Sequence, residues 1–349
     1  MPFTATPLSG GDAFDLAARI AQDADAALTA LPAPEARAAC LQTYWARLVE
    51  LGWTATAIAE EAGGAGGGLA DLAALAGGAG RAALPLPVAG ACAVVPHLLG
   101  AAPANPLLAQ VADGAARVCP ILPGNGALTL AEERLSGSAV GVETPPAPTH
   151  VLAVVGDALV LLAADAPGVA CAMSLRIDRR LAADWSFGAS PSIVLARGAA
   201  VLARAEEARD LGALLTCVEA TEAAGALIEQ TIAYLSTRIQ FGAPLGSNQA
   251  LRHRVAEMYV EYETLRGLVG AALRQAESGA GAAWRDIAFA KLRLGHAGRS
   301  IAEAAIQCHG GMGLTEDLPA TRLARRILMA EFEYGDGAFQ ARRLLSAGA

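Results

Sequence analysis

Three glycines stand in four residues in Gln307-Cys308-His309-Gly310-Gly311-Met312-Gly313, directly behind a long alanine-rich helical run. Bare glycines leave backbone N–H groups uncovered where no side chain blocks a ligand, which is what a phosphate or pyrophosphate requires. A glycine cluster is also the commonest way to stop a helix, so the stretch taken alone carries both readings. A second cluster, Gly63-Gly64-Ala65-Gly66-Gly67-Gly68, lacks the Lys-Ser/Thr of a P-loop and the preceding strand of a dinucleotide fold. It reads as a flexible turn between helices. Six cysteines (Cys40, Cys92, Cys119, Cys171, Cys217, Cys308) show no C-x-x-C spacing and read as reduced thiols. His97, His150, His253 and His296 have no mutual ligand spacing, so no metal site is expected.

The elements that must position these groups follow from composition and periodicity. At 349 residues the length prior gives two or three domains. The chain is 54% hydrophobic but only 5% aromatic, with 38 glycines, so its apolar content lies in small side chains suited to close helix packing. A net charge of −8 argues against nucleic acid or an anionic membrane as main partner. The most apolar stretches, 82–102 and 151–172, are interrupted by prolines, His97 or aspartates, short of the roughly 20 apolar residues of a spanning helix. The start of the chain does not resemble a signal peptide, and a soluble, cytoplasmic protein is expected.

Apolar spacing of three and four predicts helices over 12–31, 35–51, 69–81 and about 88–99, making residues 1–117 a helical domain. Short runs split by Gly, Pro, Asp and Asn then read as strands at 118–122, 128–130, 137–142, 151–155, 158–162 and 192–195. Gly156-Asp157 forms a hairpin turn, and the middle domain is a small antiparallel β domain over 118–199. From 200 to 349 four long helical runs, near 202–238, 248–278, 281–309 and 319–346, with short connections predict an antiparallel four-helix bundle. The fold class is α+β, mostly α.

This order, with Arg238-Ile239-Gln240-Phe241-Gly242-Ala243-Pro244-Leu245-Gly246 after the first bundle helix and Gln307 to Gly313 after the third, resembles the acyl-CoA dehydrogenases. Leu51-Gly52-Trp53 and Glu60-Glu61-Ala62-Gly63-Gly64 match the family's N-terminal helical domain, so the resemblance covers nearly the whole chain. It implies that the middle domain is the family's β-barrel and that FAD is the cofactor, its ADP half crossing a subunit interface. Residues matching Arg238, Gln240 and Phe241 would hold the pyrophosphate and adenine of a neighbour's FAD, and those matching Gln307, Gly310, Gly311 and Gly313 would complete that site. The residue chemistry agrees, since Arg offers a planar fork for phosphate and Phe an apolar face for adenine. The reaction implied is α,β-desaturation of an acyl-CoA thioester. A carboxylate takes the α-proton while the β-hydrogen leaves as hydride to the flavin. A homo- or hetero-tetramer and an electron-accepting flavoprotein are the implied partners.

Some positions depart from the family pattern. Counted from Gly310, the usual base, a Glu before a Gly, falls on Tyr334, followed by Gly335. A phenol of pKa about 10 is a poor base at neutral pH. The alternative base position, on the first bundle helix, falls on Gly212. The nearby carboxylates are Asp210, Glu219, Glu222, Glu333 and Asp336. Asp336, two residues from the expected place, is the candidate base, and it is equally placed to cap the last helix. On the flavin-ring side, the family's Thr-Glu-Pro and Trp-Ile-Thr segments correspond to Ile121–Asn125 and Val140–Thr144. Some bacterial members that act on bulky thioesters such as steroid side chains are built from two unlike short subunits with complementary half-sites. The chain would then be either the catalyst or a non-catalytic partner lending ADP contacts. A flavin monooxygenase on the same fold, needing no such base, is a third reading. His309 is expected to be a packing residue, and Arg325-Arg326 and Arg342-Arg343 solvated helix faces or interface residues.

Overall fold

The computed structural model describes residues 3–31, 34–279 and 283–347. Five helices come first: α1 (Asp12–Thr29), α2 (Pro34–Glu50), α3 (Leu69–Gly80), α4 (Val95–Leu99) and α5 (Leu107–Ala112). Eight strands follow: β1 (Val118–Ile121), β2 (Gly126–Ala131), β3 (Arg134–Glu143), β4 (His150–Val155), β5 (Ala158–Ala163), β6 (Val169–Leu175), β7 (Leu181–Pro191) and β8 (Ile193–Arg197). The rest is α6 (Ala199–Thr237), a hairpin of β9 (Ile239–Gln240) and β10 (Ala243–Pro244), α7 (Gln249–Glu277), α8 (Ala283–His309), α9 (Pro319–Ala330) and α10 (Gly337–Ser346).

The chain divides into two compact units, one of residues 1–31, 73–84 and 213–349, the other of 32–72 and 85–212. In the first, small side chains let helices approach closely. Ala223, Ala224, Leu227 and Ile228 of α6 share a buried cluster with Met258 and Tyr262 of α7, Ile301 and Ala305 of α8, and Leu323 and Ile327 of α9. Glycines are required here, as a Cβ on Gly80 would lie 2.2 Å from the Glu219 carbonyl oxygen. α6 is long and apolar enough to cross a membrane by length and composition alone, but 94% of its apolar window is buried inside the protein. Neither stretch singled out from the sequence, 82–102 or 151–172, forms such a helix.

The second unit holds two four-stranded sheets, β1-β4-β5-β8 and β2-β3-β7-β6. Their facing side chains make one core, in which Ile121, Val151, Ala153 and Val160 of the first sheet meet Leu135, Val142, Trp185 and Phe187 of the second. The sheets are antiparallel except that β1 runs parallel to β4. β6 and β7 lie outside the predicted strands. Val169–Leu175 and Leu181–Pro191 are rich in Ala, Ser and Gly, which favour strands poorly, and β7 gains its place by pairing with β3 and β6.

The predicted helical run over 319–346 is two helices. Tyr334 (φ 54°) and Gly335 (φ 100°) are left-handed and break it between α9 and α10. A Cβ on Gly335 would come within 2.4 Å of Phe339, so only glycine fits.

Candidate functional site

Arg238, Gln240 and Phe241 are brought together at one exposed tip. Arg238 N donates to the Tyr234 carbonyl as α6 ends, and Ile239-Gln240 pair with Ala243-Pro244 across a two-residue turn. Both turn residues have positive φ, 55° at Phe241 and 79° at Gly242, the geometry that matches the twist of flanking strands. A phenylalanine is uncommon there. It is also fully exposed, as Ile239 largely is, so the hairpin presents an aromatic face that its own chain does not cover.

Gln307, Gly310 and Gly311 lie at the surface where α8 gives way to a 3-10 turn, Gly310–Leu314. Gly310 (φ 61°) needs to be glycine for its backbone. Gly311 does not, because its backbone is ordinary and an added Cβ would meet nothing within 4 Å. This chain's own packing does not require glycine at that position. Gly313 differs, being buried, and a Cβ there would press within 2.6 Å of the Ile306 carbonyl. His309 is buried, stacked on Tyr234 with ring centroids 4.6 Å apart, its Nδ1 2.9 Å from the Ala305 carbonyl. It ties the end of α8 to the end of α6, so the two motifs flank one stacked pair.

The glycine-rich stretch 63–68 is not a flexible turn. Six successive amides, from Gly63 to Gly68, each donate within the protein, to the oxygens of Glu60, Ala59, Ala55, Ile58, Thr56 and Asp71. No donors remain there for a phosphate.

The position of the family's base lies between α9 and α10, and buried charge holds that turn. Arg326 is fully buried, which corrects the expectation of a solvated face. Its Nε donates to Glu219 Oε1 at 2.9 Å, its Nη1 to Glu333 Oε1 at 2.8 Å and its Nη2 to Glu333 Oε2 at 2.6 Å. Lys291, also buried, donates from Nζ to the carbonyls of Ala330 at 2.6 Å and Glu331 at 3.1 Å, closing the end of α9. Burial pulls the Lys291 pKa down, while Cys217 and Glu333 oppose that shift. The Arg326 fork meets both carboxylates, and Lys291 is satisfied by the two backbone carbonyls. The sequence marked Glu219 and Glu333 as nearby acids but gave no sign that one arginine joins them.

The other carboxylates are engaged as well. Asp336 Oδ1 accepts from Phe339 N at 2.8 Å and caps α10. Glu222 Oε1 accepts from Leu8 N at 2.7 Å, and burial pushes its pKa up to about 7. A shift of that size is typical of catalytic acids. Here the group fastens the N-terminal segment, together with Glu229, which accepts from Ala5 N at 2.6 Å and pairs with Arg81 at 2.7 Å. Gly212 lies within α6 and Asp210 is half-buried on the same helix.

In the second unit, the segments expected at the flavin ring are held by charge. The Pro123 carbonyl accepts from Arg209, and Glu143 accepts from the buried Arg180 at 2.9 Å. Thr144 is buried. Among the described residues no three His, Cys, Asp or Glu side chains converge as a metal site.

The family model for the acyl-CoA dehydrogenase C-terminal domain matches residues 202–348. The acyl-CoA dehydrogenase IpdE2 of Mycobacterium tuberculosis is 32% identical over 276 residues, covering 78% of this chain and 76% of that protein. Among solved structures, the Tcur3481-Tcur3483 steroid ACAD G363A variant superposes with a TM-score of 0.82 at 26% identity, over 96% of this chain and 97% of that one. A chain of the ChsE4-ChsE5 complex from Mycobacterium tuberculosis has the same fold, with a TM-score of 0.77 at 23% identity over 98% of each chain. The matched C-terminal helices carry both the Arg238 hairpin and the Gly310 turn, and with a relative alike over most of both lengths, this chain belongs to the acyl-CoA dehydrogenase family.

Proposed function

We propose that this chain is the cofactor-completing subunit of an FAD-dependent acyl-CoA dehydrogenase built from two unlike chains, with the proton-abstracting carboxylate on the partner. One observation carries this reading: the carboxylates around the α9–α10 turn are already committed. Glu219 and Glu333 grip Arg326, and Asp336 caps α10. Tyr334 stands where the base is expected. A carboxylate whose oxygens already accept from a buried guanidinium is not free to reach the α-proton of a thioester.

The binding half of the site is intact. Bound FAD supplies the hydride acceptor for desaturation. Arg238 offers a planar fork to its pyrophosphate, Phe241 an apolar face to the adenine, and Gln240, Gln307 and the open faces of Gly310 and Gly311 complete the ADP pocket, with Gly313 setting the turn. An acyl-CoA thioester with a bulky, ring-bearing acyl group is the substrate class, in line with the steroid enzyme among the similar structures. An electron-accepting flavoprotein reoxidises the assembly, a tetramer.

The test is reconstitution. The chain alone, and the chain co-expressed with a longer acyl-CoA dehydrogenase from the same genome, are assayed for bound flavin and for turnover of a CoA thioester. Turnover only with the partner, unaffected by Asp336→Asn, is the expected result. Turnover by the chain alone that Asp336→Asn abolishes would make Asp336 the base and overturn the proposal.

A further inference from the structure

Gly310 and Gly311 have no side chains to fix the turn they belong to, so its shape is set from elsewhere. Thr321 of α9 reaches back to it, and Arg325 and Arg322 hold Glu316 in the loop that follows. Thr321 Oγ1 donates to the buried Gly313 carbonyl at 3.0 Å, Arg325 Nη1 donates to Glu316 Oε1 at 2.6 Å, and Arg322 Nη1 donates to the Glu316 carbonyl. Arg322 is also held by a charge from a distant part of the chain. Its Nε and Nη2 fork the two carboxylate oxygens of Asp25 on α1, 297 residues away. The Arg322 side chain is 6% exposed and that of Asp25 16%, so solvent screens the pair little. Arg322 lies in the first turn of α9, where the helix dipole disfavours a cation. Its place there follows from the contacts it makes rather than from the needs of the helix.

The structure assigns Arg322, anchored by Asp25, as a positioning residue that holds the loop after the Gly310–Leu314 turn, and through that loop pre-forms the turn for the ADP half of the cofactor. This rests on the proposed FAD site. A turn held in place before binding does not have to be ordered by the ligand, so affinity rises without any new contact to it. The planar guanidinium is needed because a single group meets both Asp25 oxygens and the Glu316 carbonyl at once, which the point charge of lysine cannot do.

The experiment titrates FAD into the purified chain, with its partner where flavin uptake requires it, and compares wild type with Arg322→Lys, Asp25→Asn, Gly311→Ala and Arg293→Met. Arg293 pairs with Glu261 between α7 and α8, apart from the turn, and serves as a control for a lost ion pair. Arg322→Lys and Asp25→Asn are expected to raise the FAD Kd about tenfold and to speed amide exchange over 313–318, while Arg293→Met lowers Tm and leaves Kd within about twofold. Should Asp25→Asn not fold, Arg322→Lys, which keeps the charge, carries the comparison. An unchanged Kd in both, with Tm lowered, would reduce the pair to a fold staple and overturn the assignment. If wild type binds FAD and Gly311→Ala binds it equally well, the cofactor-site reading fails instead. If wild type takes up no FAD in any assembly, both fall.

Discussion

Gly64 and Gly311 stand in stretches of similar composition, Gly63–Gly68 and Gly310–Gly313, and the fold asks different things of them. In the first, six consecutive amides are spent on internal carbonyls and a carboxylate, and a Cβ on Gly64 would sit 2.0 Å from the Ile58 carbonyl oxygen. In the second, Gly311 has open space on its Cβ side and no backbone need for glycine. At Gly64 glycine lets the chain pack on itself, and at Gly311 the fold makes no such demand. The same distinction separates the acids from the binding motifs. Glu219, Glu333, Glu222 and Asp336 are consumed by the fold, while Phe241 and Gly311 are left open.

The largest effect tests the consumed acids. Arg326→Met leaves two buried carboxylates facing each other and is expected to cost about 3 to 5 kcal/mol in urea unfolding. Replacing Glu219, Arg326 and Glu333 together with apolar residues of similar size should recover most of it. A near-neutral Arg326→Met would mean that these carboxylates are not engaged as described.

Glu222 gives a pH signature. Its folded pKa of about 7 lies above the ordinary 4.5, so the folded state holds the proton more tightly. The associated stability is fully present below pH 4.5 and is lost as pH rises through 7, by up to about 3 kcal/mol. Glu222→Gln, neutral throughout, should lack this dependence when Tm is followed from acid to mildly alkaline pH. Parallel curves would place the Glu222 carboxyl in water.

Gly64→Ala is expected to cost about 2 to 3 kcal/mol by forcing a methyl against a backbone carbonyl. Asp336→Ala should cost about 1 kcal/mol through the lost cap, while Asp336→Asn, which caps equally well, costs almost nothing. The smallest effect on stability belongs to Gly311→Ala, within about 0.5 kcal/mol, together with a lowered FAD affinity. A Gly311→Ala as damaging to the fold as Gly64→Ala would erase the contrast between the two stretches.

Much of this is legible in the sequence because it is local. The helical runs, the Gly156-Asp157 hairpin turn and the two motifs after α6 and α8 follow from periodicity and turn chemistry within a few residues. β6 and β7 carry no such signal, because alanine, serine and glycine become strands only when neighbours pair with them. The break before α10 is legible only through Gly335 and the capping Asp336, since Tyr334 carries no signal for a left-handed backbone.

The sequence by itself determined the family and the fold class, because periodicity and motif spacing are properties of neighbouring positions. Tertiary structure alone decided which polar groups were already spent. Glu219 meets Arg326 across 107 residues and Asp25 meets Arg322 across 297. A carboxylate's role depends on the charge that packing sets beside it, and packing brings together residues whose distance along the chain carries no trace of their contact.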